Sequence, residues 1–169
     1  MSLGDDLTEL QRQLSEGSLQ RAYGAIVGYM SQLRVHYTRT QGQWTVSGLY
    51  QGYFDMTYFA LFPPSLKSRG LKLAVVFDYE SFAFEVWLAA RNRTLQRRCW
   101  ELLRDHGWSK YRLVEPATSV DAIIKSGVAD AFALAEPEIL TSRIETATQA
   151  LLDDLEPFLT LHDPQQVAH

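Results

Sequence analysis

Cysteine is almost missing: the 169-residue chain has one, Cys99. A lone thiol excludes an internal disulfide and a cysteine-built zinc site, and it points to a reducing compartment. No apolar run approaches the ~18 residues that cross a bilayer, so no transmembrane helix is expected. Met1 to Asp6 lack a basic stretch followed by an apolar one, so no secretory signal is expected there. The chain has no internal repeat, low-complexity tract or Pro/Ser-rich linker. Neither Gly-x-x-x-x-Gly-Lys nor Gly-x-Gly-x-x-Gly after a strand occurs, so the familiar phosphate-cradling loops are missing. The four histidines, His36, His106, His162 and His169, show no metal-ligand spacing, and none adjoins a Ser or Cys in a nucleophile motif.

What is present is ordinary for a globular chain: 46% hydrophobic and 21% charged residues. The expectation is one cytoplasmic α+β domain over residues 1–162, with a frayed tail over 163–169. The net charge of −4 is unevenly spread. Arg91 to Arg112 holds seven basic and two acidic residues, +5 against −9 for the remainder. That balance argues against general nucleic-acid binding except through the Arg91–Arg112 segment. A solvated helix face accounts for such a run; a local patch of this kind could also hold a phosphate or an acidic partner.

Apolar periodicity sets the elements. Leu7 to Leu14 fits a short helix stopped near Gly17, with Ser18 expected to cap the next. Leu19, Ala22, Tyr23, Ile26, Met30, Leu33 and Tyr37 form one stripe of a long amphipathic helix. Tyr50–Phe62 reads as an aromatic strand stopped by Pro63-Pro64. Leu71–Phe77 and Phe82–Ala89 read as a hairpin turning at Tyr79-Glu80. Asn92 or Thr94 is expected to cap a helix with Leu95, Cys99, Leu102 and Leu103 on one stripe. Cys99 then reads as a small core residue, and Trp100 and Trp108 as core or rim aromatics. Tyr111–Val114 reads as a short fourth strand. Thr118 with Asp121 resembles a capping pair opening a helix through Ile123 and Ile124. Pro137 fits the first turn of a last helix that Pro157 should end or bend. The fold expected is α+β: an antiparallel three-stranded meander plus a short fourth strand, packed by N-terminal and C-terminal helices.

Period-2 alternation sorts the strand faces. Leu71, Leu73, Val75 and Phe77 join Phe82, Phe84, Val86 and Leu88 on an apolar side. Tyr50, Phe54, Met56, Tyr58, Ala60 and Phe62 are expected to share that side. The other side then collects Tyr53, Asp55, Thr57, Lys72, Asp78, Glu85 and Trp87. With the turn at Tyr79-Glu80, Asp78 opposes Ser81, Ala74 opposes Glu85 and Lys72 opposes Trp87, making Lys72 and Glu85 diagonal neighbours. Asp55, Glu85 and Lys72 are the candidate catalytic groups, because paired carboxylates beside a cation suit acid–base or metal-assisted chemistry. Tyr53 and Trp87 are the candidate ligand-binding walls, with Arg91 at the rim. A solvated polar sheet face with a Glu–Lys pair accounts for the same pattern. Neither a metal nor a cofactor can be named from these residues.

Two stretches carry a resemblance: Gly48-Leu-Tyr-Gln-Gly-Tyr-Phe-Asp-Met-Thr-Tyr-Phe and Phe82-Ala-Phe-Glu-Val-Trp-Leu-Ala-Ala-Arg-Asn-Arg. With Ala22-Tyr23 and Ser109-Lys-Tyr-Arg, most of the chain resembles a small bacterial family known only as a domain of unknown function. The resemblance implies a cytoplasmic bacterial protein and no assigned activity. In element order the chain also resembles the PD-(D/E)xK nuclease-like superfamily. That likeness implies an acid from Asp78 and a Glu-x-Lys at Glu85-Val86-Trp87, where Trp87 replaces the lysine. Three readings follow: a binding or interaction domain for a small molecule, a Mg²⁺-dependent phosphodiesterase, and self-association through Tyr50–Phe62.

Overall fold

The computed structural model describes residues 1–116 and 120–164. Helix α1 (Leu3–Glu16) starts in a capping box: Ser2 Oγ accepts the Asp5 amide and the Asp5 carboxylate accepts the Ser2 amide. Gly17 (φ 74°) ends α1 and itself caps α2 (Ser18–Thr40), so Ser18 is the first helical residue rather than the cap. Ile26, Tyr29, Met30, Leu33 and Tyr37 of α2 are buried, as the three- and four-residue spacing requires.

The expected strand Tyr50–Phe62 is split. Short strands β1 (Thr45–Val46) and β2 (Tyr50–Gln51) run along one edge of β3 (Met56–Phe62), with a turn over 52–55 between β2 and β3. Pro64 sits in the first turn of the short helix α3 (Pro64–Lys67). Strands β4 (Leu71–Asp78) and β5 (Ala83–Ala90) form the expected hairpin, but its pairing is Asp78↔Ala83, Val76↔Glu85, Ala74↔Trp87 and Lys72↔Ala89. The turn holds two more residues than expected, so every partner slides by two while each side chain keeps its face.

Asn92 Oδ1 accepts the Leu95 amide and opens α4 (Arg93–Asp105), which buries Gln96, Cys99 and Leu103. Where a helix was expected through Ile123 and Ile124, the chain forms the nine-residue strand β6 (Ala122–Asp130), antiparallel to β5. Thr118 of the expected capping pair lies outside the described residues. The expected strand Tyr111–Val114 reduces to one bridge, Leu113↔Ile124. After a 3₁₀ turn (Ala131–Ala135), α5 (Pro137–His162) begins with Pro137 in its first turn and continues through Pro157 instead of ending there.

The result is a six-stranded antiparallel sheet with path β1-β3-β4-β5-β6, more strands than expected. One face is covered by α2, α4 and α5 and carries the core: Phe59 and Leu61, Leu71 through Phe77 at odd positions, and Phe84, Val86 and Leu88. Each fully buried Leu or Phe there contributes roughly 1.5–3 kcal/mol. The faces of β3 are the reverse of the expectation: Thr57, Phe59 and Leu61 are fully buried on the helix side, and Met56 and Tyr58 face away. Tyr50 pairs with Tyr58, so parity survives the 52–55 turn; the reversal comes from the pairing of β3 with β4, which sets Tyr58 opposite Val76 and Phe59 opposite Val75. No residue of α1 is buried. No helix is long and apolar enough to cross a membrane among the described residues.

Candidate functional site

The uncovered sheet face holds a smaller apolar cluster, Ala74, Val76, Trp87 and Ala122, with Met56, Tyr58, Val114 and Val120 half-buried around it. Above it opens a cleft of about 330 Å³. Register explains the hollow. Ala74 and Ala89 lie beside Trp87, so small side chains leave the floor low while the indole forms a wall. Val120 and Asp121 make the opposite wall, and α4 holds them in place. Gln96 Nε2 donates to the Val120 carbonyl at 3.0 Å, and Arg93 pairs with Asp121 at 3.5 Å.

Charge in the cleft is segregated along the strands. Asp55, Asp78 and Glu80 gather at the end near the β4–β5 turn. Lys72 lies six residues along β4 from Asp78, about 20 Å at the usual strand rise. Lys125 faces Trp87 directly across β5–β6, with its ammonium 4.5 Å from the indole centroid. Among the described residues neither lysine has a carboxylate partner. Asp78 is engaged locally: its carboxylate accepts the Glu80 and Ser81 amides at 3.2 and 3.4 Å and shapes the hairpin turn. The Tyr58 hydroxyl titrates above its ordinary value, because it is desolvated and Asp121 adds negative charge nearby.

The structure brings together only part of the expected group. Asp55, Lys72 and Trp87 line the cleft. Asp55 arrives from the turn rather than from a strand: its carbonyl accepts the Tyr79 amide, and its carboxylate folds over Gly52. A Cβ at Gly52 would sit 1.7 Å from Asp55 Oδ1 and 2.9 Å from the Met56 carbonyl, so glycine permits this pose. Glu85 points from the same face but does not line the cleft. Its two oxygens accept from Ser81 Oγ at 3.1 Å and Trp87 Nε1 at 2.5 Å, which fixes the indole. Tyr53 is fully exposed and forms no wall. Phe54 (φ 57°) turns its ring onto Tyr23 and Tyr79 instead, leaving Tyr53 outside. Arg91 follows β5 on the far side of the sheet and belongs to a different groove.

Sequence reasoning missed Lys125 and Tyr58. Lys125 was hidden in the segment read as a helix, and Tyr58 was placed on the wrong face of β3. Asp78 and Glu85 are both engaged by Ser81, through its amide and its hydroxyl respectively. No group of three His, Cys, Asp or Glu side chains converges among the described residues. Of the histidines, His36 Nε2 contacts Glu145 Oε1 at 2.6 Å and His106 lies against His162, while His169 is outside the described residues.

An antiparallel sheet with helices on one face and a charged cleft on the other defines a mixed α+β domain. A family model described as a domain of unknown function (DUF7000) matches residues 3–159, and the chain belongs to that family. No curated protein and no solved structure matches the chain.

Proposed function

We propose that the domain binds a small amphoteric ligand in the open sheet-face cleft. The supporting observation is the distribution of charge among the described residues: Lys72 and Lys125 without carboxylate partners toward one end, where Asp121 is paired with Arg93, then Asp55, Asp78 and Glu80 at the other, and an apolar floor between. An ammonium left without a counterion in a half-buried hollow gains from an incoming carboxylate, since charge-assisted hydrogen bonds are the strong ones. The opposite end offers Asp55 and Glu80 to an amine or hydroxyls. Tyr58, Val76 and Trp87 supply a flat apolar surface for the body of the ligand. The span of about 20 Å matches a short zwitterionic peptide of up to roughly five residues.

Ligand binding is favoured over metal-dependent hydrolysis, because Glu85 is held by Ser81 and Trp87 rather than aimed into the cleft. The test is a fluorescence titration with unmodified di- to pentapeptides. Saturable binding is expected for the wild type, weakened about tenfold by Lys72→Ala or Lys125→Ala, with the optical signal lost in Trp87→Phe. Peptides that fail to bind, or binding indifferent to both lysines, would remove this reading.

A further inference from the structure

A second concavity lies where α3, the start of β4, the end of β5 and the first turns of α4 meet, away from the sheet-face cleft. Its lining includes Lys67, Arg69, Arg91 and Arg98, against a single carboxylate, Asp163. We propose that this groove is a binding site for the phosphate groups of a small phosphorylated molecule, and that Asp163 occupies part of it as an internal stand-in for the anion.

Four observations meet here. First, the Arg69 side chain is only 9% exposed, yet its Nε has no hydrogen-bond partner among the described residues. Its other nitrogens donate to the Ser65 carbonyl at 2.7 Å and the Asp163 carbonyl at 3.3 Å, which fixes the guanidinium in place. A buried guanidinium with an unused donor is costly unless an acceptor completes it. Second, Arg91 lays its guanidinium beside Gly70, 3.8 Å from where a Cβ would stand. Among the described residues this guanidinium has no acceptor. Third, the groove already holds one anion: Asp163 Oδ1 accepts from Arg98 at 3.0 Å, and Oδ2 lies 3.8 Å from Arg69 Nε. Fourth, Arg91 and Arg98 carry planar forks, the geometry that matches phosphate oxygens, while Arg69 offers Nε. With four cations and one carboxylate, the groove keeps a surplus of positive charge in a chain that is acidic overall.

Lys67, the fourth cation of the lining, donates to Thr45 Oγ1 at 3.1 Å. A phosphate entering the groove reaches Arg91 and Arg98 first and then displaces the Asp163 carboxylate from Arg69 Nε. The concavity, about 620 Å³ and open to solvent, has room for more than one phosphate group.

The experiment uses the full chain and pyrophosphate as the probe, by calorimetry at constant ionic strength, because exposed charge pairs are screened by salt. Saturable binding is expected. Arg91→Ala with Arg98→Ala, both exposed side chains, should weaken it about tenfold or more while leaving the circular-dichroism melt unchanged. Asp163→Asn should tighten it several-fold by removing the competing carboxylate, an effect that general surface charge would not reproduce so strongly as the loss of one distant acid. Asp153→Asn, on the exposed face of α5, is that control and should leave the affinity unchanged. Absence of binding at millimolar pyrophosphate, binding unaffected by the arginine changes, or equal effects of the two Asp→Asn changes would overturn the proposal. A single-stranded oligonucleotide that binds where pyrophosphate does not would overturn its small-molecule class. Lys72→Ala, which tests the sheet-face cleft, should leave pyrophosphate affinity unchanged.

Discussion

Two buried side chains carry protons that the folded state holds unusually tightly. Burial, reinforced by the nearby Asp163, pushes the Cys99 thiol from its ordinary 9.0 up to about 12. Burial likewise raises the Tyr37 hydroxyl well above 10.0, although its hydrogen bond to Thr148 Oγ1 at 3.0 Å pulls the other way. Below about pH 8 both groups are essentially neutral in the folded and the unfolded chain. As pH rises from 9 toward 12, the unfolded chain releases the thiol proton while the folded chain keeps it, so stability falls through that window. The loss approaches about 1.4 kcal/mol per pH unit for each group once its unfolded form ionises. Urea midpoints measured from about pH 8 to pH 11 should therefore decline above pH 9, and Cys99→Ala should delay the decline by about one unit, to the onset set by Tyr37. A midpoint flat across that range would contradict the burial of both groups. The sequence made Cys99 legible as a core residue through its place on the α4 stripe. It could not show that Asp163 lies beside it, because nothing local links residues 99 and 163.

Among the elements, α4 has the widest reach. One buried polar side chain, Gln96 at 3% exposure, ties it to the chain entering β6 through the Val120 carbonyl at 3.0 Å and the Ala122 carbonyl at 3.5 Å. Gln96→Leu would fill the same space but leave the Val120 carbonyl only the longer 3.4 Å bond from Arg93 Nη1, a loss of about 1–3 kcal/mol. Because Val120 and Asp121 wall the sheet-face cleft, the same change should weaken peptide binding even where the lysines are intact. Chemical denaturation and the fluorescence titration check the two effects separately. An unaltered denaturation curve would show that Gln96 is not the tether. At this scale the sequence was readable where one rule dominated. Strict alternation placed Lys72 and Trp87 on one face of β4 and β5, and that face assignment survived a two-residue error in pairing because the period is two. It failed where signals competed. The Thr118–Asp121 capping pattern outweighed the β-branched residues of β6, whose alternation is broken by Gly127 and by register shifts opposite Phe84 and Leu88. It also failed at β3, where both sides of the strand are apolar or aromatic, and only the long-range pairing Phe59↔Val75 and Tyr58↔Val76 decides which side meets the core.

At the scale of the whole molecule, one core joins nearly everything. Residues of α2, α3, α4, α5 and all the long strands belong to a single buried cluster, so loss of any one layer exposes the others. Helix α1 stands outside it: Leu3, Leu7, Leu10 and Leu14 are all exposed, and α1 has no buried residue. Its order rests on the Ser2–Asp5 capping box and on surface ion pairs of Arg12 with Glu9 and Glu16, which water and salt screen. A helix of 14 residues is marginal in water on such terms. Unfolding should therefore separate into two events. Tryptophan fluorescence, from Trp44, Trp87, Trp100 and Trp108, should report one cooperative transition of the core. Far-ultraviolet circular dichroism should show the same transition preceded by a gradual loss of helix from α1. Deleting residues 1–16 should abolish the gradual phase and move the fluorescence midpoint by the equivalent of less than about 1 kcal/mol. A truncated chain that loses its fluorescence transition would mean that the leucine face of α1 covers part of the core after all. Retention of the transition would mark that face as surface the fold does not need for its own stability.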